Sequence, residues 1–191
     1  EYWEGAEQLA RKIQNMIQKE FQLSCSIGVG PNKLIAKIAA GRQKPHGLTI
    51  VRDEEVQKFL DPLSVRELMG IGPKTEGQLK VLGIGTIYQL RTTNHQLLLE
   101  AFGKHGEVMS RQARGIDDSP LEAGREAKSV GRHYTFEKDT LDGSELLPVL
   151  SQMAREIAAE VVSDKKWFRT VTLTARFSNF TTHNRSHTLS L

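Results

Sequence analysis

One cysteine in 191 residues, Cys25, excludes an internal disulfide framework. With no second thiol for metal or redox work, it reads as a small buried apolar residue. No apolar run approaches the roughly 18 residues of a membrane-spanning helix, and no signal peptide is expected. The six histidines make no metal-ligand spacing with acids or with the cysteine. His133, His183 and His187 read as surface or nucleic-acid-facing residues. No Ser/His/Asp order supports hydrolase chemistry. The run Gly28-Val29-Gly30-Pro31-Asn32-Lys33 lacks the Gly-Lys-Ser/Thr ending of a phosphate loop, which rejects a nucleoside-triphosphatase. Asp117-Asp118 reads as a helix-end loop and not as a metal pair.

Acids are missing from two stretches. Residues 21–52 carry five basic residues and no acid, and residues 165–191 do the same. The 112 residues between them hold nineteen acids and thirteen bases. The net charge of +3 and pI near 9.0 conceal this pattern. Acid-free basic stretches favour a polyanion, because each phosphate contact releases condensed counterions. A solvated surface with chance clustering is the plainer alternative. Apolar residues at 38% and charged residues at 26% are ordinary for a globular chain. The length allows one or two domains, or three small ones. The chain opens Glu1-Tyr2-Trp3, not with Met, and so is expected to be a piece of something longer.

Three compositional blocks follow one another. In the first, Ala6, Leu9, Ala10, Ile13, Met16 and Ile17 recur at a helical period over 5–20. Leu23 to Val29 predicts a strand, Asn32 to Ala40 a helix with Lys33 and Lys37 on one face, Pro45-His46-Gly47 a turn, and Leu48 to Val51 a second strand. That order implies an α/β or α+β layer. The second block, from about Arg52 to Asp118, reads all-helical. Asp53 is expected to cap a helix through Leu60, and Ser64-Val65-Arg66-Glu67 fits a capping box. Further helices are expected after Gly72, over Gly83–Leu90, Asn94–Phe102 and Gly106–Arg114, with Gly115 as a stop.

Residues 119–128 show neither period and read as a tether. In the third block Val130–Glu137 is a strand candidate. Residues 144–162 predict a helix with Leu146, Leu147, Leu150, Met153, Ile157 and Val161 inward, and Pro148 in its first turns. Arg169–Phe177 alternates as a half-buried antiparallel strand, with Val171, Leu173, Ala175 and Phe177 on its apolar face. Thr181–Leu191 offers another. Strand, helix, strand, strand looks like a βαββαβ module without its last helix and strand.

The sharpest chemical signal is Gly70-Ile71-Gly72-Pro73-Lys74-Thr75 between two short helices. Two glycines allow a tight turn and close backbone approach. The helix that follows offers free N–H groups and its positive end, where a phosphate fits. This is the pattern of a helix–hairpin–helix, which grips nucleic-acid backbone without reading sequence; a simple glycine turn is the alternative. For Gly83-Ile84-Gly85 a plain helix stop is the better reading. Lys37 and Lys44 could converge on a polyphosphate if their helix ends near Gly41. The polar strand face Thr170, Thr172, Thr174 and Arg176 suits a row of phosphates, or plain solvent.

The run Ser26–Ala40, followed by Lys44-Pro45-His46-Gly47, closely resembles the palm segment of Y-family translesion DNA polymerases, in the DinB or DNA polymerase IV branch. Met69–Thr75 resembles the thumb of that family. Lys128-Ser129-Val130-Gly131-Arg132 resembles the opening of its little finger, and Thr181–Leu189 that domain's later DNA-contacting strand. The resemblance implies an α+β multidomain chain: a partial α/β palm (1–51), an all-helical thumb (52–118), a linker (119–128) and a truncated little finger (129–191). It gives Lys44, with Lys37 nearby, to the incoming nucleotide's triphosphate. It gives Gly70, Ile71, Gly72, Lys74 and Thr75 to the thumb's grip on the duplex. It gives Ser129, Gly131, Arg132, Arg185 and Ser186 to template and primer phosphates, and Arg176 joins them from its own place on the polar strand face.

The same resemblance implies primer–template DNA and deoxynucleoside triphosphates as partners and a cytoplasmic setting, with a sliding clamp as a further partner expected through a C-terminal segment beyond Leu191. Mg2+ would serve in-line phosphoryl transfer. Its carboxylate ligands in the family, an N-terminal aspartate and an Asp-Glu pair, match nothing here and are expected before Glu1. No catalytic residue or metal ligand is therefore expected in this segment, and by itself it is expected to be inactive. Glu76-Gly77 departs from the family, standing where such hairpins have a small apolar residue. From the residues alone, a noncatalytic helix–hairpin–helix scaffold of a repair complex is the rival.

Overall fold

The computed structural model describes residues 2–122, 124 and 127–190, which fall in two compact units, Glu1–Glu122 and Ala123–Leu191. No described helix is long and apolar enough to cross a membrane.

The first unit opens with α1 (Tyr2–Phe21), then β1 (Ile27–Val29), α2 (Lys33–Ala40) and β2 (Leu48–Ile50). The two strands pair in parallel, Ile27 with Leu48 and Val29 with Ile50. The expected strand from Leu23 is shorter by four residues. Gln22 adopts φ +56°, its N–H still bonded to Gln18, so α1 ends there and regular pairing begins only at Ile27. Gln14 is buried on α1 and its side-chain amide donates to the carbonyls of Cys25 (3.0 Å) and Gly47 (2.9 Å). One side chain thus satisfies backbone at the start of both strands, and the cost of burying it is met by two bonds.

Seven short elements follow: a 3₁₀ turn at Asp53–Glu55 running into α3 (Val56–Leu60), a second at Val65–Glu67, then α4 (Pro73–Val81), α5 (Ile87–Thr92), α6 (His95–Phe102) and α7 (Lys104–Ala113). Asp53 is not the cap. It is the first residue of the turn, Arg52 stands at the cap, and the Glu55 carboxylate accepts from the N–H of Arg52 at 3.0 Å. Ser64 does cap, its hydroxyl accepting from Arg66 N–H, while Glu67 turns to Arg42 at 3.6 Å. The helix expected from Gly83 starts at Ile87. Gly83 (φ +76°) ends α4, with Ile84 N–H bonded back to Leu79, and Thr86 with Gln89 forms the capping box of α5. A plain stop is therefore what the Gly83-Ile84-Gly85 run provides.

One apolar core runs through the whole unit. Leu34, Ile35 and Ile38 of α2 share it with Leu60, Leu79, Leu90, Leu98 and Met109. Each fully buried leucine contributes about 2 kcal/mol, so the parallel strands and the helical segment are stabilised together.

The second unit holds α8 (Gly143–Ser163) and the antiparallel pair β3 (Thr170–Arg176) and β4 (Thr182–Thr188). Asp142 caps α8 through Ser144 N–H at 2.8 Å. Its carboxyl is held below the usual range, first by the Ser144 side chain and then by that backbone N–H. Leu146, Met153 and Ile157 are half-buried and Val161 is buried, but Leu147 and Leu150 are exposed, because the covered stripe of α8 is narrower than the sequence pattern. Val130–Glu137 forms no strand among the described residues. No described strand pairs with it, and Arg132 meets carboxylates of α8. The observed order in this unit is thus helix, strand, strand. β3 is antiparallel as expected but not half-buried: Val171, Leu173 and Phe177 are 55%, 46% and 44% exposed.

Candidate nucleic-acid interface

The hairpin before α4 is built by backbone geometry. Ile71 is buried and anchors the loop, its N–H bonded to the Leu68 carbonyl at 3.3 Å. Gly70 beside it takes φ +88°, a conformation that side chains rarely adopt. Gly72 caps α4 in extended backbone, Pro73 occupies the first helical position, and nothing lies within 4 Å of a Cβ placed on Gly72. Backbone N–H groups of Lys74 and Thr75 have no preceding helical carbonyl to bond, and they point from the positive end of α4. Lys74 is exposed at the same end. These five predicted residues are brought together, and the opening over Gly72 is room for an anion to reach the amides. Glu76 is accommodated because it faces Lys80 at 2.8 Å and Arg66 at 3.5 Å, so its charge is met within the chain.

The glycines of the first basic stretch serve a different purpose. A Cβ on Gly28 would stand 2.0 Å from the Ala36 carbonyl oxygen and 2.3 Å from Ala40 N; one on Gly30 would stand 2.7 Å from Ile35 Cγ2. They let β1 lie directly on α2. The positive end of α2 is also occupied from within. Asn32 Oδ1 accepts from Ile35 N–H at 3.0 Å, and Asp117 Oδ2 accepts from Leu34 N–H at 3.1 Å. Lys33 Nζ donates to the Pro120 carbonyl. What stays available to a polyphosphate is Lys37 and Lys44, both exposed and without a side-chain partner among the described residues.

Asn32 and Asp117 are the residues that the sequence reading missed. Asn32 Nδ2 also donates to the Gly115 carbonyl at 2.7 Å, and Asp117 accepts from Ser119 N–H at 3.1 Å. The Asp117 carboxyl is held below the usual range, chiefly by the Ser119 hydroxyl, then by Ser119 and Leu34 N–H groups and the Lys33 charge, against the opposing effect of burial. An N-cap signal before α2 was legible in Asn32. Nothing local marks Asp117.

In the second unit the strand register divides the predicted contacts. Thr172 faces Ser186 (hydroxyls 2.9 Å apart), Thr170 faces Thr188 (3.0 Å), and Arg176 faces Thr182, all on one side. Arg185 lies opposite Leu173, between His183 and His187, on the other side. Arg176 and Ser186 therefore share a face from which Arg185 is excluded, because neighbours along a strand point oppositely. The Arg176 guanidinium sits 4.9 Å from the Phe180 ring centroid. Ser129 and Gly131 are exposed. Arg132 is held by Glu160 and, at 3.4 Å, Glu156. The Glu160 hydrogen bond leads in raising its pKa further above the usual arginine value.

No group of three or more His, Cys, Asp or Glu side chains among the described residues could hold a metal ion. Asp117 is spent on backbone, and Asp118 pairs with Arg111. The described residues therefore do not fit a divalent-metal centre.

Three segments match one family in order. Residues 1–41 match the impB/mucB/samB family, 53–84 its HHH motif, and 127–191 its C-terminal domain. DNA polymerase IV 2 of Methanosarcina mazei is 41% identical over 189 residues, covering 99% of this chain and 51% of the relative. A chimeric Y-family DNA polymerase assembled from Dbh and Dpo4 superposes with a TM-score of 0.82 at 29% identity, over 99% of this chain and 54% of that one. A DinB-family error-prone DNA polymerase from Sulfolobus solfataricus does so at 0.61 and 28%, over 97% and 55%. The chain thus spans about half the length of the relatives it matches.

Proposed function

Since the chain belongs to the impB/mucB/samB family, the Y-family of DNA polymerases, we propose that it is the DNA-gripping portion of a low-fidelity translesion DNA polymerase. The parent protein adds deoxynucleotides to a primer opposite damaged template bases. In this reading residues 1–51 are palm, 52–118 thumb and 129–191 little finger, joined by 119–128. The observation that carries it is the Gly70–Thr75 hairpin, with its buried Ile71 anchor and open Gly72, inside the segment that matches the family's HHH motif.

The hairpin amides and Lys74 hold duplex phosphates. Arg176 and Ser186, on one strand face, supply a second row of donors. Lys44 and Lys37 meet the nucleotide's triphosphate. Mg2+ belongs to the parent reaction, and no step through it is assigned to these residues. A cytoplasmic setting belongs to the same reading.

The test is primer extension by the longer gene product, with Mg2+ and all four nucleotides, on undamaged and abasic templates. Extension past the lesion is the expected result. Failure on both templates, with duplex binding intact, would favour the noncatalytic scaffold.

A further inference from the structure

The hairpin is not walled by its own segment alone. A Cβ added to Gly70 would stand 3.2 Å from Nε2 of His105. His105 belongs to the first turn of α7, outside residues 53–84 that match the HHH motif. It is half-buried, and its imidazole has no hydrogen-bond or ion-pair partner among the described residues. Lys104 precedes it, exposed. The fold therefore places a ring nitrogen beside the loop at the point where that loop lacks a side chain. An imidazole always carries at least one N–H donor, and this one stays partly open to solvent, where a ligand can reach it. Hairpin amides, Lys74, Lys104 and His105 are all donors, so the acceptor that suits them together is a phosphate.

We infer that His105 is a DNA-contacting residue: its imidazole donates to a backbone phosphate seated at the Gly70–Gly72 hairpin, making the first turn of α7 the second wall of the grip. This rests on the reading of the hairpin as a backbone clamp. The contact carries no sequence information, because it goes to phosphate and not to base edges. A Cβ at position 70 would press lightly on the imidazole, in addition to the strain of its φ.

The experiment is fluorescence anisotropy with the whole chain and two labelled primer–template duplexes of unrelated sequence, across a salt series. H105A, H105K and K74E are compared with the unaltered chain, and melting temperatures are recorded for each. H105A should lower affinity about ten-fold on both duplexes, as expected for one hydrogen bond to a charged acceptor. H105K should restore binding with a salt slope steeper by about one. If K74E weakens binding while H105A leaves it unchanged, the inference is overturned and the clamp stands. If neither variant changes binding, the clamp reading fails and the inference fails with it. A loss in H105A that tracks a lowered melting temperature and is not restored by H105K makes the residue structural, which also overturns the inference.

Discussion

Asn32 and Gly115, 83 residues apart, are joined by a 2.7 Å hydrogen bond from the asparagine side chain to the glycine carbonyl. The same amide caps α2 through Ile35 N–H, so one residue both starts a helix and fastens the chain that leaves α7. Gly115 (φ +75°) is itself packed so closely that a Cβ would lie 2.4 Å from Val56 Cγ1. Asp117 repeats the logic two residues on, reaching back to Leu34 N–H.

N32A removes a cap and a long-range hydrogen bond together. We expect a loss of roughly 2 kcal/mol from the first unit, about 1 from each, read as a lowered midpoint in chemical denaturation. N32D keeps the cap acceptor and loses only the donor to Gly115, so it should cost about half as much.

Asp117 makes that junction acid-sensitive. Its carboxyl titrates below an ordinary aspartate. The stability it contributes is therefore complete above the unfolded value near about 3.9 and is lost as pH falls through the folded value. A melting-temperature series from neutral pH to about pH 2.5 should decline more gently for D117N than for the unaltered chain, which would start higher and converge at the acid end.

Gly28 and Gly72 look alike in sequence and differ in what surrounds them. G28A drives a methyl into the backbone of α2 and should cost about 3 kcal/mol, a severe case of overpacking. G72A meets nothing within the chain, so its melting temperature should stay within a degree or two while duplex affinity falls, the methyl standing where the phosphate approaches.

Arg132 is held by Glu156 and Glu160, so in the proposed reading DNA competes with two carboxylates for it. E160Q should raise duplex affinity by up to about five-fold, the scale of a solvent-accessible ion pair. The gain should vanish in an R132A background. A gain that survives there would assign it to the removed negative charge alone.

The sequence by itself determined most elements and the family. Helical periodicity located α1, α2 and α6 to within a few residues, the glycine-flanked run announced the hairpin, and four short motifs in order carried the resemblance. Those signals are local, set by period, capping and backbone freedom. Tertiary structure decided what depends on partners far along the chain. It showed that Gly28 and Gly30 serve packing, that Asn32 and Asp117 occupy the end of α2, and that His105 stands against Gly70. It set the register that places Ser186 opposite Thr172 on the face of Arg176, and it left Val130–Glu137 without a ladder. A strand exists only when a second strand pairs with it, and a charge is free only when no carboxylate reaches it. Neither condition can be read from a stretch of ten residues, because both are properties of the neighbours that folding supplies.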